Sequence, residues 1–136
     1  MYQNITSNIK VENSKTSALT STNILNNTIV DSIQDIKGKK IITLDLRRID
    51  EAPADYFIIC EGESTTQIKA ISDSIHKKVF EELGIKSNHR EGITESKWIL
   101  VDYFDTIVHV FYPETRKYYD LEDLWSDAEV KFYEDV

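Results

Sequence analysis

The sequence predicts an α+β domain in which a mixed sheet of about five strands is flanked by helices. The elements follow one another as helix, strand, strand, helix, strand, strand, strand, helix, which is not the regular alternation of a parallel α/β fold. Two segments have the spacing of amphipathic helices, and short runs rich in β-branched and aromatic residues lie between and after them. The 136 residues suffice for one domain with a single core.

Two longer helices are predicted from apolar residues that recur every three or four positions. The first covers residues 22–37 and ends at Gly38. The second begins after Ser64, whose side chain forms a capping-box pattern with Gln67, and it ends at Gly84. The apolar stripes are Leu25, Ile29, Ile33 and Ile36 in the first helix and Ile68, Ile71, Ile75, Val79 and Leu83 in the second.

The remaining predicted elements are strands and two short helices. Residues 40–46 alternate between apolar and polar side chains, residues 56–60 form a continuous apolar strand that we expect to be covered on both faces, and residues 85–90 are an ambiguous short strand. Short helices are predicted over residues 114–118 and 121–125. All these elements belong to one domain.

Sequence composition sets the domain boundaries. Residues 1–21 are rich in Asn, Ser and Thr and lack hydrophobic periodicity, so we expect a disordered leader. The folded domain is predicted to cover residues 22–128. Residues 129–136 are expected to form a mobile C-terminal tail.

A β-hairpin over residues 98–111 is the central feature of the predicted domain. Two runs rich in β-branched and aromatic residues flank a loop, which we take to be Phe104 and Asp105, with Tyr103 paired to Thr106. A longer loop would regroup the side chains of the two faces, so the assignment depends on this register.

The predicted register gives the hairpin two different faces. One face pairs Ile99 with Val110 and Val101 with Val108, and it is an ordinary apolar core face. The other face pairs Trp98 with Phe111, Leu100 with His109, and Asp102 with Ile107. A covering helix or a partner protein must account for this second face, because it is largely apolar yet carries a carboxylate and an imidazole.

The charge of the chain limits its possible partners. The sequence has 24 acidic and 16 basic residues and a formal net charge of −8, which disfavours binding to the phosphates of nucleic acids. A basic protein surface is the expected charged partner. No apolar run approaches the roughly 18 residues of a membrane-spanning helix. The single cysteine, Cys60, excludes an intrachain disulfide and fits a reducing compartment.

Motifs for catalysis and cofactor binding are weak or absent in this sequence. One cysteine and three scattered histidines cannot supply the usual zinc ligand pairs, and there is no phosphate-binding loop of the Walker type. Gly62 and Ser64 before a helix, with Asp102 and Asp105, are reminiscent of a nucleotidyl-transfer site. The spacing of these carboxylates does not assure a shared metal, so we expect no enzyme activity and no cofactor.

Two groups of residues carry a resemblance to a known family. The first group is Ala54-Asp55-Tyr56-Phe57-Ile58-Ile59-Cys60, Gly62, Ser64, Ile68 and Ala70-Ile71. The second is Glu91-Gly92, Trp98-Ile99-Leu100-Val101-Asp102-Tyr103, Asp105, Val108-His109-Val110-Phe111, Arg116, Tyr119-Asp120-Leu121-Glu122 and Leu124-Trp125. In this order and spacing, from about residue 25 to residue 128, the chain resembles the Iojap-like ribosomal silencing factors.

The resemblance implies a cytoplasmic protein that binds the fourteenth protein of the large ribosomal subunit. By occupying that surface it would hinder joining of the small subunit and repress translation under nutrient limitation. It also implies a nucleotidyltransferase-like fold without the catalytic carboxylates. The chain departs from the family at Phe104, where a glycine is usual, at Glu61, where a small residue is usual, and in its long polar leader.

We therefore expect a partner-binding surface on the hairpin. Trp98, Leu100 and Asp102 are the predicted contact residues, Tyr103 and Asp105 follow at the end of the hairpin, and His109 is expected to be a structural neighbour of Asp102. One alternative is residual nucleotide binding or nucleotidyl transfer through Ser64 and Asp102. Another is a homodimer formed through the same hairpin face.

Overall fold

The computed structural model describes residues 20–136. All but the last two residues of the predicted leader lie outside this range. Those two residues begin the first helix: Thr20 is its N-cap, with a side chain that accepts a hydrogen bond from the backbone N–H of Asn23, and Ser21 is its first residue.

Six strands and four helices make up the described part of the chain. The helices are α1 (Ser21–Asp35), α2 (Thr65–Leu83), α3 (Pro113–Tyr119) and α4 (Leu121–Leu124). The strands are β1 (Lys39–Asp45), β2 (Tyr56–Glu61), β3 (His89–Glu91), β4 (Trp98–Asp102), β5 (Thr106–Phe111) and β6 (Glu129–Phe132). The α+β class and the mixed sheet are confirmed; the likeness to nucleotidyltransferases stays a prediction.

The strands form one open sheet in the order β3-β4-β5-β2-β1-β6. All neighbouring strands are antiparallel except β2 and β5, which are parallel. The hairpin β4–β5 therefore lies at one side of the sheet, with only the short strand β3 beyond it. Strands β1 and β6 occupy the opposite side.

The two long helices cover one face of the sheet and form the main core with it. The predicted stripe of each helix is buried, apart from partly exposed Ile36 and Leu83 at the C-terminal ends. The Ser64 hydroxyl accepts a hydrogen bond from the backbone N–H of Gln67, and Gly84 ends α2 with a left-handed φ of 69°. The predicted limits of α2 are thus confirmed.

The second face of the sheet has a smaller cover. Helix α4 and the loop after it place Leu121 and Trp125 over the centre of the sheet, where Trp125 packs edge-to-face on Phe57 with 6.0 Å between ring centroids. As predicted, β2 is buried on both faces, because Phe57 and Ile59 point into this smaller core while Ile58 and Cys60 point into the main core.

The expected C-terminal tail needs a correction. Residues Glu129–Phe132 form β6, a sixth strand, which pairs with β1 from Asp45–Glu129 to Ile42–Phe132. Every residue of β6 is exposed, so it lacks the buried alternation by which strands are recognised in a sequence. Backbone pairing holds it, together with Tyr133, whose hydroxyl accepts a hydrogen bond from Thr43 Oγ1 at 3.1 Å.

The predicted hairpin register is confirmed at every position. Trp98 pairs with Phe111, Leu100 with His109, and Asp102 with Ile107. The backbone N–H of Tyr103 donates to the Thr106 carbonyl at 2.9 Å, which closes a two-residue loop. Phe104 has a φ of 68° in this loop, a conformation that favours glycine, and the Asp102 carboxylate accepts its backbone N–H at 2.7 Å.

Candidate partner-binding surface

The candidate surface is the part of the second sheet face that α4 leaves open, formed by Trp98, Leu100 and Asp102 on β4. We call these three residues the β4 surface. Alternate residues of a strand share a face, so the three side chains stand in one row. All three are partly exposed, whereas Ile99 and Val101 between them are fully buried in the main core.

Trp98 is fixed by aromatic neighbours and by one hydrogen bond. Its ring stacks on Phe111 at 4.9 Å between centroids and contacts Tyr119 of α3 at 4.7 Å. Its indole Nε1–H donates to His109 Nδ1 at 3.0 Å. The indole is therefore held in one orientation before any partner arrives, which lowers the entropy cost of binding.

His109 is buried beside the β4 surface, on β5 opposite Leu100. Burial lowers the pKa of its imidazole to about 4, so the ring is neutral at pH 7. Because Nδ1 accepts the Trp98 hydrogen bond, the proton of the neutral ring is on Nε2, for which residues 20–136 offer no hydrogen-bond partner. The expected neighbour of His109 was Asp102. Its polar contact is with Trp98 instead, so His109 positions the indole from the neighbouring strand β5.

The imidazole beside Asp102 is that of His89 on β3. His89 pairs with Asp102 in the sheet register, and its Nδ1 lies 3.6 Å from the Asp102 carboxylate while its Nε2 lies 2.8 Å from Glu91. Glu91 pairs in turn with Leu100. Leu100 is thus flanked by two carboxylates, those of Asp102 and Glu91. The sequence did not indicate the role of either β3 residue, because residues 85–90 are an ambiguous strand and no local pattern specifies the strand it pairs with.

Tyr103 and Asp105, the predicted contacts at the end of the hairpin, lie apart from the β4 surface. Tyr103 is buried in the main core beneath the helices, and this burial raises the pKa of its phenol to about 12. Asp105 is exposed at the tip of the hairpin, where its carbonyl accepts the backbone N–H groups of Asp55 at 2.9 Å and Tyr56 at 3.0 Å. Of the six predicted residues, the structure brings four together: Trp98, Leu100, Asp102 and, on the neighbouring strand β5, His109.

The start of α2 shows how the Gly62–Ser64 motif is used. Ser64 Oγ accepts the backbone N–H of Gln67 at 3.1 Å, and Gln67 Oε1 accepts the backbone N–H of Glu63 at 2.7 Å. The side chain of Gln67 also donates to the carbonyls of Ile36 and Lys37. These bonds occupy the backbone N–H groups of Glu63 and Gln67, which are therefore not free to bind a phosphate. Across residues 20–136, no group of three or more His, Cys, Asp or Glu side chains is arranged to hold a metal ion.

Comparison with known proteins identifies the family of this chain. Residues 19–136 match the family described as ribosomal silencing factor during starvation. A relative from Halalkalibacterium halodurans, named ribosomal silencing factor RsfS, is 40% identical over 99 residues, which are 73% of this chain and 83% of that protein. A mouse relative, named mitochondrial assembly of ribosomal large subunit protein 1, is 35% identical over 75 residues, which are 53% of this chain and 32% of that protein.

Structural comparison agrees with the sequence match. The crystal structure of a Chromobacterium violaceum protein superposes with a TM-score of 0.74 at 34% identity, covering 79% of this chain and 88% of that one. The fold is an α+β domain with a partly open sheet face. The chain belongs to the ribosomal silencing factor family, as the two sequence signatures predict. Within residues 20–136, no helix has both the length and the apolar character needed to cross a membrane.

Proposed function

We propose that this protein represses translation in the cytoplasm under nutrient limitation by binding the large ribosomal subunit. The fourteenth protein of that subunit is the proposed contact, and bound protein would exclude the small subunit by its bulk. Family membership supports a ribosomal role, and the name of the mouse relative supports the large subunit as the target. The observation that carries the proposal is the row of partly exposed Trp98 and Leu100 beside Asp102.

The β4 surface has the properties of an interface centre. Trp98 and Leu100 supply apolar area on a rigid strand, and each anchor is worth roughly 2 kcal/mol if a partner buries it completely. Asp102 and Glu91 at the edge of this area suit a basic partner surface and discriminate against an acidic one. Steric exclusion requires no chemical step, so no catalytic residue is needed for this function.

The proposal is tested by cosedimentation of the purified protein with separated large and small ribosomal subunits. We expect the protein to migrate with large subunits and to reduce the fraction of joined ribosomes. Leu100→Asp, which places a second charge beside Asp102, is expected to weaken large-subunit binding at least tenfold, corresponding to about 1.4 kcal/mol or more.

The matched control is Val130→Asp, which also replaces an apolar residue with aspartate, at an exposed position of β6 at the far side of the sheet. This variant is expected to bind like the unmodified protein. Circular dichroism and urea unfolding establish that both variants are folded. Normal binding by folded Leu100→Asp, or migration of the unmodified protein away from large subunits, would refute the proposal.

A further inference from the structure

A cleft of about 750 Å³ opens beside the β4 surface, between the β3–β4 loop and helix α3. Trp98 belongs to both features, since it is part of the β4 surface and also lines the cleft. The lining residues that matter for binding are Glu95, Lys97, Trp98, Glu114, Tyr118 and Tyr119.

Aromatic rings form one wall of this cleft. Tyr119 contacts Trp98 at 4.7 Å between ring centroids, and Tyr118 packs edge-to-face on Tyr119 at 5.0 Å and 85°. Tyr118 is 81% exposed and Tyr119 is 50% exposed, although their ring faces are large and apolar. Exposed aromatic rings in contact with one another present π faces to whatever enters the cleft.

Two carboxylates line the cleft as well. Glu95 on the loop and Glu114 on α3 are both exposed, and within the described part of the chain neither makes a salt bridge. Lys97 is the only basic residue of the lining, so the two carboxylates exceed the positive charge by one. Unpaired carboxylates beside π faces attract a cation and repel an anion.

We propose that this cleft binds a guanidinium group, the side chain of an arginine on the protein partner. The inference rests on the proposed function for the source of that arginine. A guanidinium is planar and weakly hydrated, so it can stack on Tyr119 or Trp98 while its edge donates hydrogen bonds to Glu95 or Glu114. A lysine ammonium supplies the charge but not the stacking plane. The arginine would extend the contact from the β4 surface around the indole of Trp98.

The cleft is tested first with the free protein and small probes. The probe is N-acetyl-arginine methylamide, and its matched control is the citrulline analogue, which has nearly the same shape but no charge. Nuclear magnetic resonance follows the indole N–H signals of the two tryptophans. We expect saturable shifts at Trp98 with the arginine probe, affinity on the order of fivefold weaker with the citrulline probe, and no shift at Trp125, which lies outside the cleft.

Variants then test whether the carboxylates of Glu95 and Glu114 contribute to binding of the arginine probe. The double change Glu95→Gln and Glu114→Gln is expected to weaken the arginine probe on the order of fivefold and to leave the citrulline probe unchanged. The control is Glu81→Gln, an exposed glutamate on α2 that does not line the cleft. Equal affinities for the two probes, or an arginine affinity unaffected by the double change, would overturn the assignment of a guanidinium site.

Large-subunit binding connects the cleft to the partner. The double variant is expected to bind large subunits several-fold more weakly than Glu81→Gln, with a smaller loss at high salt because screening weakens exposed charge interactions. Unchanged subunit binding by the double variant would overturn the assignment of the guanidinium to the partner. If the unmodified protein does not bind large subunits, the proposed function fails, and the probe titration still decides whether the cleft is a guanidinium site.

Discussion

At the scale of single residues, His109 and Trp98 form the most informative pair. The indole of Trp98 is oriented by a hydrogen bond that only a neutral His109 can accept, because a protonated imidazole has no acceptor. Burial keeps the imidazole neutral and lowers its pKa to about 4. Protonation of His109 would therefore both remove the hydrogen bond that orients Trp98 and lower the stability of the folded protein.

The pKa of His109 predicts a loss of stability in mild acid. An unfolded histidine has a pKa of about 6.5, so between pH 6.5 and pH 4 the unfolded chain binds more protons at this residue than the folded protein does. Stability must then rise with pH across this window and fall as pH decreases. When the pH is lowered from 7 to 5, we expect the titration of His109 to reduce the free energy of unfolding by about 2 kcal/mol.

Urea unfolding at pH 7 and pH 5 measures this cost. His109→Gln cannot titrate, so the difference between the two pH values is expected to shrink by about 2 kcal/mol in this variant. His89→Gln is the matched control, because it removes an exposed histidine of β3 and leaves the buried His109 in place. An identical pH dependence in the unmodified protein and His109→Gln would contradict the prediction.

At the scale of elements, the hairpin shows which features a sequence predicts well. Alternating side chains determined the register of β4 and β5 correctly, because a slip by one residue would have exposed Ile99 and Val101 and buried Asp102. The helices were predicted as well, since apolar periodicity and the caps at Ser64 and Gly84 are local signals. Strand β6 was missed because no buried side chain marks it.

The site was harder to predict than the fold. Trp98, Leu100 and Asp102 follow from strand alternation alone, but the roles of their neighbours depend on tertiary contacts. Tyr103 is buried in the main core, and His89 reaches Asp102 only because β3 pairs with β4. Three residues of β3, two of them exposed, give no periodicity that could have indicated this pairing.

The turn of the hairpin carries strain that a substitution can remove. Phe104 adopts a φ of 68°, which costs a residue with a side chain about 1–2 kcal/mol relative to glycine. The ring is 69% exposed, so its loss removes little packing. Glycine also adds conformational entropy to the unfolded chain, which offsets part of this gain. Phe104→Gly is therefore expected to stabilise the protein by roughly 0.5–1 kcal/mol in urea unfolding.

A second glycine variant controls for this effect. Asp105 occupies the other loop position without a positive φ, so Asp105→Gly is expected to destabilise the protein slightly through the unfolded chain. Because the ladder of β4 and β5 is unchanged, large-subunit binding by Phe104→Gly should equal that of the unmodified protein. A loss of stability in Phe104→Gly would show that the exposed ring makes contacts that outweigh the strain.

At the scale of the whole molecule, the strand order places the proposed binding surface and the C-terminal edge at opposite sides of the sheet. The β4 surface and the adjacent cleft lie at the side of the sheet formed by β3, β4 and β5, whereas the C-terminal segment completes the opposite side next to β1. The main core between the sheet and the two long helices joins these sides. A change at the β6 edge should therefore alter global stability without changing the geometry of the β4 surface.

Removal of residues 129–136 tests this separation. The truncation deletes the β1–β6 pairing, the Tyr133 contacts with the main core, and the hydrogen bond of 2.8 Å from the Lys40 backbone N–H to Asp135. We expect a loss of roughly 3 kcal/mol in unfolding free energy, from several backbone hydrogen bonds and one partly buried aromatic ring. Tyr133→Phe, which removes only the hydroxyl bonded to Thr43, should cost about 1 kcal/mol.

Large-subunit binding by the truncated protein shows whether loss of the C-terminal edge affects the interface or only the stability of the protein. At a temperature where the truncated protein remains folded by circular dichroism, its affinity for large subunits is expected to stay within about twofold of that of the full chain, since distant sites act independently. Leu100→Asp should show the opposite pattern, with normal stability and weak binding. Loss of binding by folded, truncated protein would mean that the C-terminal edge itself contacts the ribosome, and the β4 surface would then be only one part of the interface.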